Sequence, residues 1–114
     1  MAAPTREDAF LMVELAKWGT AIGLGDALVD VLGDDFDPET ADVFRDPSVR
    51  TILQFGESVG TLTKRDLLSA ELVNDWLWVA GLWARVGPAA LRSREKHGER
   101  RLYENFELLA TGGQ

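Results

Sequence analysis

From Phe55 to Leu109 the large apolar residues recur at three- and four-residue steps. That period confines the segment to helices which bury one side each. Leu72, Trp76, Val79 and Trp83 follow one another at steps of four, three and four, with Trp78 and Leu82 on an adjacent strip. Upstream, Ile52, Phe55, Val59 and Leu62 mark the buried side of a helix opening at Pro47 and running to about residue 61. Downstream, Leu102, Phe106 and Leu109 mark a last helix from about Arg100 to Ala110. No stretch alternates with the period of two that a half-buried strand requires. The chain reads as all-α, a compact bundle of five or six helices forming one domain over residues 1–114.

Local signals divide the remainder. Thr5 stands where an N-cap belongs, and Glu7 and Asp8 supply the acids that a helix dipole favours in its first turn. Leu11, Leu15, Trp18, Ile22, Leu28 and Leu32 then make one stripe. This predicts a single long helix over 5–32, kinked if anywhere at Gly19, Gly23 or Gly25; the competing reading is a helix–loop–helix. Asp37-Pro38 and Asp46-Pro47 each pair a capping residue with proline at a first helical turn, which predicts a short helix over 38–45 before the one from Pro47. Ser69 caps the next helix. Gly87-Pro88 is expected to end that one and start another, closed by Gly98. Thr111–Gln114 reads as a frayed tail.

Charge narrows the classes of function. The net charge is −7, and residues 1–48 hold eleven acids against three bases. Nucleic-acid binding draws its affinity from cationic side chains on phosphates, so none is expected. Five bases crowd residues 92–101, and the acidic half is expected to face them, within the chain or across a dimer. With no cysteine, disulfides and thiolate chemistry are excluded and a reducing cytoplasm is suited. MAAPTREDAF has no basic stretch followed by an apolar run, so no signal peptide is expected. Glu14, Lys17, Asp26 and Asp30 interrupt the most apolar window, which excludes an ordinary membrane span.

Several side chains invite a chemical reading. Glu57, Asp75 and Glu107 fall on three different helices among apolar neighbours. Paired carboxylates of this kind can act as acid and base or hold a divalent metal. The spacing of a bundle metal site is missing, because His97 is the one histidine and no Glu-x-x-His occurs. No metal or other cofactor is expected. The simpler assignment is ion pairing of these acids with Arg85, Arg92 or Arg94. Arg92 and Arg94 are also candidate anion contacts, although Glu95 and Glu99 are interspersed as on a solvated helix. His97, beside Gly98 at a helix C-terminus, is accounted for by the dipole there. Trp76 and Trp83 are assigned to the core, whereas Trp78 lies off their stripe and is a candidate for an interface.

One set of residues resembles a known family. Phe55-Gly56-Glu57, Leu67-Leu68-Ser69-Ala70-Glu71-Leu72-Val73, Trp83, Arg92-Ser93-Arg94 and Tyr103-Glu104-Asn105-Phe106-Glu107-Leu108-Leu109-Ala110 together resemble the small bacterial helical proteins grouped as domain of unknown function 4760. The likeness runs over roughly residues 52–110. It implies a helical fold and carries no reaction with it. Two functions therefore stand at this point. One is a non-enzymatic interaction module acting as a homodimer, or with another protein, through Trp78, Leu82 and the N-terminal stripe. The other is a small-molecule binder or minor enzyme, its pocket walled by Trp76 or Trp78 and carrying Glu57 and Asp75.

Overall fold

A computed structural model describes residues 3–112. Six helices follow in order: α1 (Arg6–Ala21), α2 (Leu24–Leu32), α3 (Pro47–Lys64), α4 (Ala70–Trp76), α5 (Val79–His97) and α6 (Glu104–Thr111), and no strand occurs among the described residues. α3 is the hub. Val49, Ile52, Leu53, Phe55 and Val59 along it are buried, and α2, α5 and α6 all pack on it. Among the described residues no helix is long and apolar enough to cross a membrane. Gly112 caps α6 in the left-handed conformation. The rest of the expected tail, Gly113 and Gln114, lies outside the described residues.

The caps predicted at Thr5 and Ser69 form, whereas the Asp46 side chain makes no cap bond to α3. Thr5 Oγ1 accepts from the Asp8 backbone N–H at 3.1 Å while Asp8 Oδ2 accepts from that of Thr5 at 2.7 Å, which is a reciprocal capping box. Asp8 Oδ1 also accepts from the backbone N–H of Ser69 at 3.0 Å, and Ser69 Oγ in turn accepts from that of Leu72. One aspartate thus ties the start of α1 to the start of α4.

The single long helix over 5–32 is corrected to two. Gly23 adopts a φ of 82°, a left-handed conformation open to glycine, and the chain turns there. Gly19 allows the return: a Cβ on it would lie 2.9 Å from Leu24 Cδ2 and 3.3 Å from the Phe55 ring. The short helix over 38–45 is also corrected, to two turns held by aspartates. Asp37 Oδ1 accepts from the Glu39 N–H, Asp42 Oδ2 from those of Phe44 and Arg45, and Asp46 Oδ2 from that of Asp42. Side-chain acceptors so close to the backbone compete with helical bonding and win over eight residues.

Two helix boundaries move along α4 and α5. Gly87-Pro88 does not end a helix; α5 runs through it. Pro88 removes a bond to the carbonyl of Ala84, a residue on the exposed side of the helix. Gly87 has no Cβ to meet the proline ring, and buried Val86, Ala89 and Ala90 hold the helix in register. The break falls earlier, at Leu77-Trp78, where Leu77 is extended (φ −120°, ψ 142°). The period from Leu72 to Trp83 runs across this break, so the sequence gives no sign of it. Its effect is to send Trp76 and Trp83 to different neighbours: Trp76 meets Phe55 edge-on at 5.9 Å, and Trp83 meets Phe106 at 5.2 Å. Both pack on the core, as does Trp18, stacked on Phe55 at 5.3 Å.

The closest approach in the bundle is between α3 and α6. A Cβ on Gly56 would lie 2.4 Å from the Phe106 ring, and one on Gly60 would lie 2.3 Å from the Asn105 carbonyl oxygen. A ring can shift, but a backbone oxygen anchored in a helix cannot. Gly60→Ala is therefore expected to cost about 2 kcal/mol or more by overpacking, read by circular dichroism as a melting temperature several degrees lower. A loss below about 0.5 kcal/mol, the range of an ordinary surface substitution, would overturn this account of the contact.

Candidate functional site

α6 begins at Tyr103, which has a φ of 58° and offers no side-chain cap. The Glu104 N–H donates to the Arg101 carbonyl in the turn before it, and the next two N–H groups are satisfied from another helix. Glu57 Oε1 accepts from the backbone N–H of Asn105 at 2.9 Å and of Phe106 at 3.0 Å, and Glu57 Oε2 accepts from Asn105 Nδ2 at 3.0 Å. Asn105 Nδ2 also donates to Thr61 Oγ1 at 3.0 Å. On the far side of α6, Arg94 Nη1 pairs with Glu107 Oε1 at 2.9 Å while Arg94 Nε donates to the Leu102 carbonyl. The ion pair expected for Glu107 forms. That expected for Glu57 does not: its partners are backbone and amide N–H groups, because the glycine contact brings the bare end of a helix to its carboxylate. Asp75 stands exposed on α4. Arg85 and Arg92 donate to backbone carbonyls, Arg85 to Gly33 at 2.7 Å and Arg92 to Pro38 and Ala41 at 2.8 and 2.6 Å. The candidate anion contacts Arg92 and Arg94 thus have partners inside the chain.

The acidic segment does face the basic one within the chain. Arg92 holds the 38–41 turn, Lys96 lies 5.8 Å from the Phe44 ring centre, and His97 meets the same ring edge-on at 5.4 Å. The contacts run to carbonyls and an aromatic ring rather than to carboxylates.

The pocket suggested by Glu57 and Asp75 is not assembled. Glu57 borders an open depression formed with Glu99, Arg101, Tyr103 and Asn105, a wall to which Asp75 does not belong. The apolar cavity between α2, α3, α5 and α6 measures about 20 Å³ and is lined by Leu28, Phe55, Leu77, Val79, Phe106 and similar side chains. That is room for one water at most, with no polar group to hold it. Among the described residues no group of three His, Cys, Asp or Glu side chains is placed to hold a metal.

Of the residues assigned to an interface, Trp78 is exposed over 69 % of its surface, its ring lying across Gly81. Leu82 is corrected to the core at 6 % exposure. Most of the N-terminal stripe is corrected likewise: Leu11, Trp18, Ile22 and Leu28 pack on the core and Leu15 is part of it, while Leu32 stays exposed. The outward apolar residues of this half are others, Phe10 and Val13 on α1 and Val29 on α2. Their offset from the inward stripe was the available signal.

The profile of the family described as "Domain of unknown function (DUF4760)" matches residues 24–112. The chain belongs to this family. The residues that carried the resemblance are joined in the structure: the Phe55–Glu57 group holds Asn105 and Phe106, and Arg94 holds Glu107. No curated protein and no solved structure matches the chain.

Among the described residues, three groups titrate away from their ordinary values. The Asp8 carboxyl is held below the carboxylate range chiefly by the Thr5 backbone N–H, and that of Asp42 chiefly by the Arg45 N–H. Burial pushes the Tyr103 hydroxyl up. A depressed carboxyl stabilises the fold above its unfolded value of about 3.9. That contribution is lost as pH falls through the lower folded value. The urea midpoint is therefore expected to fall with acid below about pH 4, and to fall less steeply in Asp8→Asn; an unchanged slope would remove Asp8 from the account. Glu57→Ala leaves the Asn105 and Phe106 N–H groups of α6 without their acceptor and is expected to cost about 2 kcal/mol, with Glu57→Gln losing less. Equal melting temperatures for all three proteins would contradict the capping role.

Proposed function

We propose that the chain is a non-enzymatic association module which pairs with a second copy of itself, with Trp78 as an anchor of the contact. One observation carries this reading. Three tryptophans pack on the core, and the fourth is left 69 % exposed at the corner between α4 and α5. A large aromatic held outward at low entropic cost is the side chain that most often dominates a contact surface. Its position supports the reading further, since Leu77 and Val79 on either side share a cavity wall with Leu24 and Leu28 of α2. Trp78 thus stands between two residues anchored in the core and not in an isolated loop. A cysteine-free acidic chain suits a cytoplasmic setting.

The ligand-binding alternative lacks support of this kind. Glu57 is occupied by α6, Asp75 does not line the open depression that Glu57 borders, and the enclosed apolar cavity of about 20 Å³ is too small for a metabolite.

Light scattering over a dilution series is expected to show a mass that falls from two chains to one, with tryptophan emission shifting over the same range. Trp78→Ala is expected to weaken pairing tenfold or more while leaving the melting temperature of the monomer unchanged. A single-chain mass at every concentration would overturn the homodimer, and quenching of that monomer by a specific metabolite would favour the ligand-binding alternative.

A further inference from the structure

The two N-terminal helices present outward faces that match each other. On α1, Arg6, Phe10, Val13 and Lys17 recur at steps of four, three and four and so lie on one line. All four are exposed, Phe10 by 73 %. Beside Arg6, Ala9, Phe10 and Val13 form a shallow apolar depression of about 240 Å³. Arg6 and Lys17 are two of the three bases in residues 1–48. Glu7 and Glu14 lie to one side of the line. Glu14 pairs with Lys17 at 3.0 Å, but both are exposed, and such a pair is weak enough to exchange partners.

On α2 the outward line is Gly25, Val29 and Leu32, at steps of four and three, with Val29 exposed by 74 %. Asp26 and Asp30 border it, and no base occurs from Leu24 to Phe44. Asp30 accepts from the Ser48 hydroxyl and remains exposed. Gly25 has no explanation inside the chain. It sits in a helix, where glycine is unfavourable; its φ is not in the left-handed region, and a Cβ on it would meet nothing within 4 Å. Gly19 and Gly23, by contrast, serve the α1–α2 turn.

The geometry points to a reciprocal contact in which the Arg6–Lys17 face of α1 in one copy lies on the Gly25–Leu32 face of α2 in the other. This rests on the homodimer reading and assigns its surfaces. Val29 enters the depression beside Phe10, Gly25 lets the partner helix approach closely, and Arg6 and Lys17 meet Asp26 and Asp30. A two-fold axis makes the contact twice, as a self-complementary dimer requires. The occupant is a second copy because the charges on the two faces are opposite while the apolar pairs are alike.

Charge reversal tests this. Arg6→Glu with Lys17→Glu makes both faces acidic, and Asp26→Lys with Asp30→Lys makes both basic. Each protein alone is expected to pair at least tenfold more weakly than the parent, and an equimolar mixture to regain the two-chain mass as a heterodimer, since both contacts are then complementary. Recovery on mixing requires that both variants are folded. Gly25→Gln is expected to raise the melting temperature of the monomer and weaken pairing, opposite effects that a merely structural glycine would not give. If either reversed protein pairs like the parent, or if the mixture stays single-chain, the assignment is overturned. A dimer indifferent to these changes but lost in Trp78→Ala keeps the homodimer and overturns this contact alone; a parent that never pairs overturns both.

Discussion

The carboxylate of Glu57 on the N-terminal turn of α6 is the interaction on which the arrangement of this bundle depends. α6 has eight residues and opens at a tyrosine in the left-handed conformation with no cap of its own. A helix that short does not persist in water without tertiary support. Glu57 supplies acceptors for two backbone N–H groups and the Asn105 amide, and the negative charge sits where the helix dipole favours it. The contact is possible because Gly56 and Gly60 let α6 lie against the α3 backbone, with Phe106 seated over Gly56. Arg94 closes the other side through Glu107. Capping, close packing and the ion pair therefore support one another, and loss of any one exposes the rest to water.

The same economy bears on function. Acids that might have served catalysis are occupied: Glu57 by α6, Glu107 by Arg94, Asp8 by two helix starts, Asp42 by a turn. The basic segment is occupied in the same way, with Arg92 and Arg94 turned onto the chain's own carbonyls and carboxylate. Large apolar and aromatic side chains also remain outward, at Trp78 and on the outer sides of α1 and α2. Chemistry of that kind recognises surfaces, which is why the proposed role is association.

Much of this was legible residue by residue. The caps at Thr5 and Ser69, the proline opening at Pro47 and the glycine stop at Gly98 are local, decided by atoms within a few positions of each other, and they stand where the sequence puts them. Trp76 and Trp83 are packed on the core and Trp78 is outward as their spacing suggests, although a break between them puts them on different helices. Other features were not legible because they depend on neighbours remote in sequence. The break at Leu77-Trp78 has no glycine or proline to announce it, and it exists because α4 packs beside α1 while α5 packs on α3 and α6. Continuity through Pro88 reverses a local rule because buried side chains on both sides hold the helix together.

The sequence alone determined that the chain is helical, where α1, α3 and α4 begin, which large side chains turn inward, and the family pattern over its second half. Period and capping are short-range, so the residues carry them unaided. Only the tertiary structure decided that Glu57 caps a helix instead of pairing with an arginine, that Leu82 is core, and that Phe10, Val13 and Val29 are the outward residues of the first half. Each of those depends on which surface meets which, and that is settled by close approach between helices: at Gly19, where α2 folds back on α1, and at Gly56 and Gly60, where α6 settles on α3.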